Sequence, residues 1–476
     1  MLKVKLIVTT MAASLVLAGC VSVGPDYQRP ALDVPSNLNV AATSGKTIAV
    51  DYMAWWKGFN DPILNALLDE AHANNQDLVL AAGRVEEARA LAFGANSNRY
   101  PTVDANLTPT KLRTSQHAGS LPAGAEPISR DYKLGLSASY ELDLWGKLAR
   151  ADEAARARLL AQEANQGVVL TSLYSNLAQT YFSLRASDAQ LTLAEATLKT
   201  RQERLRLQRK LFASGTIGEA DLHIADAEEA AAEINLAQAK QAVANAESAV
   251  AVLVGRSPSA IANPVITRGN DIDGLYNKLS VPADLPSDLL ERRPDIVTAE
   301  QSLVAANADI GQAKALYFPT LKLSSGVGYE SQGLKDLINP ASMLWNLGAN
   351  LTQPVFRAGA IGAVVSGAEA RKTQALAQYV QTVQGAFRDV HDALNNATAN
   401  EQIYTSGQHR VAALKDSLRL AELRYKSGYS SYLEVLNAQR DLWQAQVTVI
   451  DTQRAHLIAV VSLYKAVGGG WEISAR

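Results

Sequence analysis

The stretch Tyr132-Lys133-Leu134-Gly135-Leu136-Ser137-Ala138-Ser139-Tyr140-Glu141-Leu142 decides the fold. Apolar residues alternate there with small or polar ones, and successive side chains of a strand point to opposite faces. Leu321, Leu323, Val327 and Tyr329 alternate in the same way with Lys322, Ser324 and Gly328. Trp345, Leu347, Ala349 and Leu351 do so with Asn346, Gly348, Asn350 and Thr352. Segments of about ten residues with this period suit a transmembrane barrel, apolar toward lipid and polar toward a lumen. A half-buried soluble sheet shows the same alternation. In a barrel, Tyr132, Tyr140, Tyr329 and Trp345 suit the membrane interfaces. Four strands do not close a barrel, because an open edge in lipid leaves backbone groups unpaired at several kcal/mol each. The smallest single-chain barrels have about eight strands, so a membrane reading requires oligomerisation.

Moving outward, each strand region leads into long helices. Leu170, Leu177, Leu184, Leu191, Leu198, Leu205 and Phe212 recur every seven residues, as do Val383, Val390, Ala397, Tyr404, Val411, Leu418 and Tyr425. Returning rows run through Leu222, Leu236, Val243 and Val250, and through Val435, Leu442, Val449 and Leu463. Glu229 and His456 interrupt them. A sustained heptad keeps one seam against a partner helix and imposes a left-handed supercoil. Residues 147–213 alone predict a rod of about 100 Å. Gly215 and Gly428 suit left-handed stops at the ends of the first long helices.

The chain repeats itself. Asn75-Gln76-Asp77-Leu78-Val79 is echoed by Arg293-Pro294-Asp295-Ile296-Val297, and Tyr100-Pro101-Thr102-Val103 by Phe318-Pro319-Thr320-Leu321. The first repeat covers 62–255, with a strand pair at about 100–145 and a helix pair at about 147–254. The second covers 287–468, with strands at about 318–355 and helices at about 357–467. Each repeat opens with a helix, starting at Asp61-Pro62 or near Arg293-Pro294. Residues 20–61 form an extended N-terminal segment, 256–286 a joining segment, and 469–476 a tail.

Residues 1–19 are predicted to be a secretory signal, with Lys3 and Lys5 ahead of an apolar run too short to span a bilayer. Leu17-Ala18-Gly19-Cys20 resembles the bacterial lipobox. That likeness implies cleavage before Cys20 and its acylation as a lipid anchor, which accounts for a single cysteine in an exported chain. Val21, rather than Asp, favours the outer membrane. The 476-residue chain is 47% hydrophobic with a net charge of −2, which argues against a nucleic-acid partner.

The order of these elements resembles the TolC-like outer-membrane factors, specifically the NodT-type efflux lipoproteins. The carrying motifs are Trp55-Trp56-Lys57-Gly58-Phe59-Asn60-Asp61-Pro62, Tyr140-Glu141-Leu142-Asp143-Leu144-Trp145-Gly146-Lys147, Arg292-Arg293-Pro294-Asp295-Ile296 and Gly468-Gly469-Gly470-Trp471. The resemblance implies a mainly α protein with membrane β-structure. Three copies form a coiled-coil α-helical barrel and contribute four strands each to a twelve-stranded transmembrane β-barrel. It implies passive efflux through a homotrimer, anchored in outer-membrane lipid and extending into the periplasm. The partners implied are a periplasmic adaptor and an inner-membrane transporter of the resistance-nodulation-division type. It places a periplasmic gate at Leu433, Glu434, Asn437 and Arg440, with Asn437 where the family usually has Asp. A threefold ring of Glu434 favours cations; Asn437 weakens that field. Asp221 and Tyr425 match a pair that ties the inner and outer coils.

No enzyme, cofactor or metal site is expected. The six histidines (His72, His117, His223, His391, His409 and His456) show no His-x-x-x-His spacing, and no phosphate-cradling or nucleophile-elbow motif occurs. A type I protein-secretion duct remains an alternative within the channel class. A periplasmic adaptor is the rival outside it, but adaptors carry one hairpin, whereas this chain has two.

Overall fold

A computed structural model of the chain describes residues 22–35, 37–39, 52–117, 124–276, 284–286 and 291–472. The predicted signal and Cys20 lie outside the described residues, as do parts of the N-terminal, joining and tail segments. In chain order the helices are α1 (Pro62–Asn74), α2 (Gln76–Ser97), α3 (Lys147–Ala213), α4 (Glu219–Leu253), α5 (Pro258–Ala262), α6 (Ile272–Tyr276), α7 (Pro294–Ala315), α8 (Ala360–Lys426) and α9 (Tyr432–Ala466). The strands are β1 (Asn37–Asn39), β2 (Thr102–Arg113), β3 (Ile128–Leu142), β4 (Asp284–Pro286), β5 (Thr320–Ser331) and β6 (Met343–Thr352). The chain divides into two compact units. One is Met1–Ala31, Arg84–Gln162 and Ala299–Tyr379; the other is Leu32–Gly83, Glu163–Thr298 and Val380–Arg476.

The first unit holds an antiparallel sheet ordered β2-β3-β5-β6. Its register sorts most of the side chains into an apolar and a polar face, because directly paired residues share a face, with Leu112 and Leu344 among the polar residues and Lys111 and Arg130 among the apolar ones. Leu107, Leu134, Tyr329 and Met343 lie on one face, joined by Leu136, Val327, Trp345 and Leu347. Asn106, Gly135, Ser137, Gly326, Gly328, Asn346 and Asn350 lie on the other. The apolar face is nonetheless exposed, with Trp345 at 74% and Leu347 at 78%. Tyr132 and Tyr329 lie toward the hairpin end and Tyr140 toward the helix end, whereas Trp345 sits a row further in, beside Val327.

The second unit is built on the coils and a dense core. Trp55, from the short helical turn Tyr52–Phe59, stacks on Tyr464 at 5.6 Å, and Phe59 meets Phe182 at 4.8 Å. Asp61 is fully buried yet satisfied. It caps α1 by accepting from the amides of Ile63 (2.9 Å) and Leu64 (3.2 Å), and also accepts from the Tyr181 hydroxyl (2.9 Å) and the Asn270 amide (3.0 Å). The Trp55–Pro62 motif is thus a core plug followed by a helix start. Along the heptad rows Leu177, Leu184, Leu205, Val390, Ala397 and Val411 are buried. Phe212 is 40% exposed, so its row runs out before the turn.

Both coils stop by the same device. Gly215 and Gly428 adopt φ of +74° and +77°, which a Cβ disfavours. The next amide reaches back five residues in each case, Thr216 to Leu211 O and Tyr429 to Arg424 O, both at 2.9 Å.

Three features differ from the sequence expectation. The first repeat opens with two helices, not one, because Asn75 breaks the run. Its amide closes α1 onto Ala71 O, and its side-chain oxygen accepts from the Asp77 amide at 2.8 Å to start α2. The joining segment carries α5, α6 and β4, the last paired with β1. His456, an interruption of the heptad, is buried with Nδ1 3.1 Å from Ala397 O.

Candidate conduction surface and gate

In the first unit, the polar face of the sheet offers a hydrated wall. Its charges are mostly paired: Lys133 meets Glu330 (3.0 Å) and Asp131 (3.3 Å), and Glu141 meets Lys147 (2.5 Å) and Lys322 (3.8 Å). The described N-terminal residues are fastened at the helix end of β3. The Val23 amide donates to Trp145 O (3.0 Å), Asp26 accepts from Arg150 (2.6 Å), and the Asn307 amide group donates to Pro25 O (2.8 Å). Trp145 stacks on Phe318 at 4.7 Å and donates to Pro319 O.

In the second unit, the turns at 214–218 and 427–431 bring the ends of α3, α4, α8 and α9 together. Leu205, Ala225, Ala421, Tyr432 and Val435 form a small apolar cluster there. Leu433 is about half exposed beside it. Glu434, in the first turn of α9, pairs with Arg424 at 3.4 Å, and Asn437 is exposed on the same helix. Arg440 pairs with Glu228 of α4. Asp221 lies half-buried in the first turn of α4, where the helix dipole favours a carboxylate. Within one chain the structure does not bring Asp221 to Tyr425; the Tyr425 hydroxyl accepts instead from Gln208 at 3.3 Å, and its ring packs on Tyr432 at 5.7 Å.

The family model for outer membrane efflux proteins matches this chain twice, over residues 67–256 and 285–469. The chain belongs to the outer membrane efflux protein family. It is an outer-membrane channel subunit of a tripartite efflux pump. It is 36% identical over 465 residues to the cation efflux system protein CusC of Escherichia coli O6:H1, covering 96% of this chain and 97% of that one. The probable outer membrane lipoprotein SilC of Salmonella typhimurium is 34% identical over 473 residues, covering 99% of this chain and 100% of that one. The crystal structure of the Campylobacter jejuni CmeC outer membrane channel superposes with a TM-score of 0.90 at 29% identity, over 96% of each chain.

The sequence reading of this efflux protein missed the groups that knit the turn region together. Arg201 donates to Gln439 and lies 3.5 Å from Glu228, whose other oxygen takes Arg440. Arg204 pairs with Glu422 at 3.4 Å and lies over the Tyr432 ring at 5.9 Å. Arg201 and Glu228 are buried, so neither is a solvated surface charge. Burial also pushes the Tyr432 phenol above its ordinary pKa, against the lowering pull of Arg201 and Arg204. A signal for this cluster exists: Ala194, Arg201 and Gln208 follow one another at heptad spacing and are all buried. Among the described residues, no group of three or more His, Cys, Asp or Glu is placed to hold a metal ion.

Proposed function

We propose that three copies of this chain form one outer-membrane duct that conducts substrate passively, without catalysis. A periplasmic adaptor and an inner-membrane transporter of the resistance-nodulation-division type feed it. The observation that carries this reading is a two-faced sheet, largely apolar on one side and largely polar on the other, whose two edge strands have no further strand partner among the described residues. Exposed apolar area of this extent needs lipid, and open edges in lipid need a partner. Native gels and outer-membrane fractions of the mature protein test this; a soluble monomer sinks it.

The anchor belongs to the same proposal. Ser22, which packs against Gly146 four residues beyond the end of β3, fastens the described start of the chain at the helix end of the sheet, and this supports Cys20 as a lipid anchor. Cys20→Ser is expected to weaken membrane retention and leave folding intact.

The gate is proposed at Leu433, Glu434, Asn437 and Arg440, with Asp221 and Tyr425 as coupling residues. The Arg424–Glu434 and Arg440–Glu228 pairs support it, since they tie the candidate gate strip of α9 to α8 and α4. Glu434→Ala with Tyr425→Phe is expected to raise resting conductance in planar bilayers. Wild-type conductance in that double variant would remove the assignment.

A further inference from the structure

The two faces of the sheet carry their charges differently. On the polar face Lys133 is met by Glu330 and Asp131, and Lys322 by Glu141. The apolar face holds Lys111, Arg113 and Arg130 and no carboxylate within the four strands. These three residues are exposed, and none of their side chains has an ion-pair partner among the described residues. Asp131 adjoins Arg130 in sequence, but it lies on the polar face and is taken by Lys133 at 3.3 Å. Glu126, exposed in the loop between β2 and β3, is paired with none of them.

The three cations sit together at one end of that face. Lys111 pairs directly with Arg130, which puts their Cα atoms about 4.5–5.5 Å apart, and Arg113 follows on the same face about 7 Å along the strand. The rows before them are apolar or aromatic: Leu107, Leu134 and Tyr329, then Pro109, Tyr132 and Ser331. From Leu142 to Tyr132 strand β3 advances about 33 Å, or about 25 Å along the membrane normal at a tilt of about 40°, which is the height of an outer-membrane apolar band. Arg130 lies about 5 Å further. Tyr132 and Tyr329 thus mark the rim of the band, and the basic row starts just beyond it, at the level of the headgroups. At its other end β3 leads into α3, and the helices extend into the periplasm. The basic row therefore faces the outer leaflet.

Building on the barrel reading above, we infer that Lys111, Arg113 and Arg130 bind the phosphate groups of a glycolipid in the outer leaflet, with its acyl chains laid along Leu107, Leu134 and Leu136. A guanidinium fork matches phosphate oxygens with two parallel hydrogen bonds, and the lysine adds a point charge. Three neighbouring cations without a carboxylate repel one another, and a phosphorylated headgroup relieves that repulsion. The same surface continues into exposed Leu107 and Leu136, so headgroup and chains are met together. Cations serving only to keep a strand end wet would suit either end of the face. The α3 end has none: Val103, Leu142, Leu321 and Leu351 stand there. The hairpin of β5 and β6 has no equivalent row, since exposed Leu334 and Ile338 follow its strand. Each chain therefore carries one site, on the hairpin of β2 and β3.

Glycolipid retention by the full-length protein in detergent tests this, with a diphosphorylated glucosamine glycolipid as the probe. Replacing all three residues (Lys111→Gln, Arg113→Gln, Arg130→Gln) is expected to weaken retention about a hundredfold, at about fivefold per cation near a lipid surface. Lys111→Gln with Arg130→Gln should lose about twenty-five-fold and serves should the triple variant fold poorly. Lys111→Arg with Arg130→Lys keeps the charges and should keep binding. Lys335→Gln, an exposed cation in the turn after β5, should change nothing. Parent-like retention in the triple variant overturns the site, as does equal retention of the dephosphorylated glycolipid. Equal retention of phosphatidylglycerol overturns the glycolipid as occupant, and competition by inorganic phosphate at matching concentration reduces the site to one for a free anion and overturns it too. A parent that runs as a monomer and fails to insert into vesicles overturns the barrel reading itself.

Discussion

Truncating Glu228 to Ala is expected to loosen the turn end of the coils by about 3 kcal/mol. Its side chain is 10% exposed and holds Arg440 on one oxygen and Arg201, 7% exposed, on the other. Removing one partner of a buried pair costs about 3–5 kcal/mol, because the remaining charge is left without compensation. The lower end applies here. Arg201 keeps Gln439 as an acceptor, and Arg440 is more than half exposed and turns to water. At about 1.4 kcal/mol per factor of ten, local opening of the turn region should become about a hundredfold more frequent. Amide hydrogen exchange on detergent-solubilised protein reads this in peptides covering 201–212 and 432–440. Peptides covering 173–186 in the buried core serve as the unchanged reference. Adding Arg201→Met removes the orphaned charge and should restore most of the protection. Equal exchange in Glu228→Ala and the parent, or a double variant no better than the single, would refute the argument.

Asp61→Ala should cost about 4 kcal/mol, since it leaves a buried tyrosine hydroxyl and three amides without their acceptor. Thermal unfolding should show a large drop, with Asp61→Asn in between. His456 gives a pH dependence. Burial lowers its pKa from 6.5, against the opposing pull of Glu401 and its bond to Ala397 O, while the Tyr276 ring packs on it. The unfolded chain therefore takes up the proton first, so this contribution is complete above about pH 6.5 and is lost as pH falls through the lowered folded value. The drop in unfolding midpoint between pH 7.5 and 5.0 should be larger in the parent than in His456→Phe.

Periodic features were legible because they repeat. The alternation at 132–142 predicts a strand with two unlike faces, and the sheet register places Leu134 and Leu136 on one and Gly135 and Ser137 on the other. The seven-residue rows likewise mark the buried seam at Leu177, Leu184, Val390 and Ala397. What escaped depends on single contacts between distant segments. Nothing local distinguishes Asn75 from a helical surface residue. It ends a helix because its side chain both caps the next one and donates to Leu253 O, nearly two hundred residues away. Glu228 stands beside Glu229 in a charged stretch, and its burial is decided by Arg201 on another helix. The Leu433–Arg440 stretch is singled out in the sequence only by likeness to a family, and the partners of Glu434 and Arg440, Arg424 and Glu228, lie on other helices and follow from the fold.

The duplication makes a further argument about the turn region. α3 and α8 have 67 residues each, and α4 and α9 have 35, so backbone length alone makes the two coils interchangeable. One contact is kept across the copies with a different donor: the Asn75 side chain donates to Leu253 O in one, and the Arg293 side chain donates to Ala466 O in the other. At the turns the frame is kept while the side chains diverge. Asp221 and Glu434 occupy matching first-turn positions, but Arg201 corresponds to Leu414, Arg440 to Ala227 and Phe212 to Tyr425. Each substitution puts a charge or hydroxyl on one coil where the other has an apolar side chain. The Arg201–Glu228–Arg440 network therefore has no twin, and it distinguishes the coils where their shapes do not.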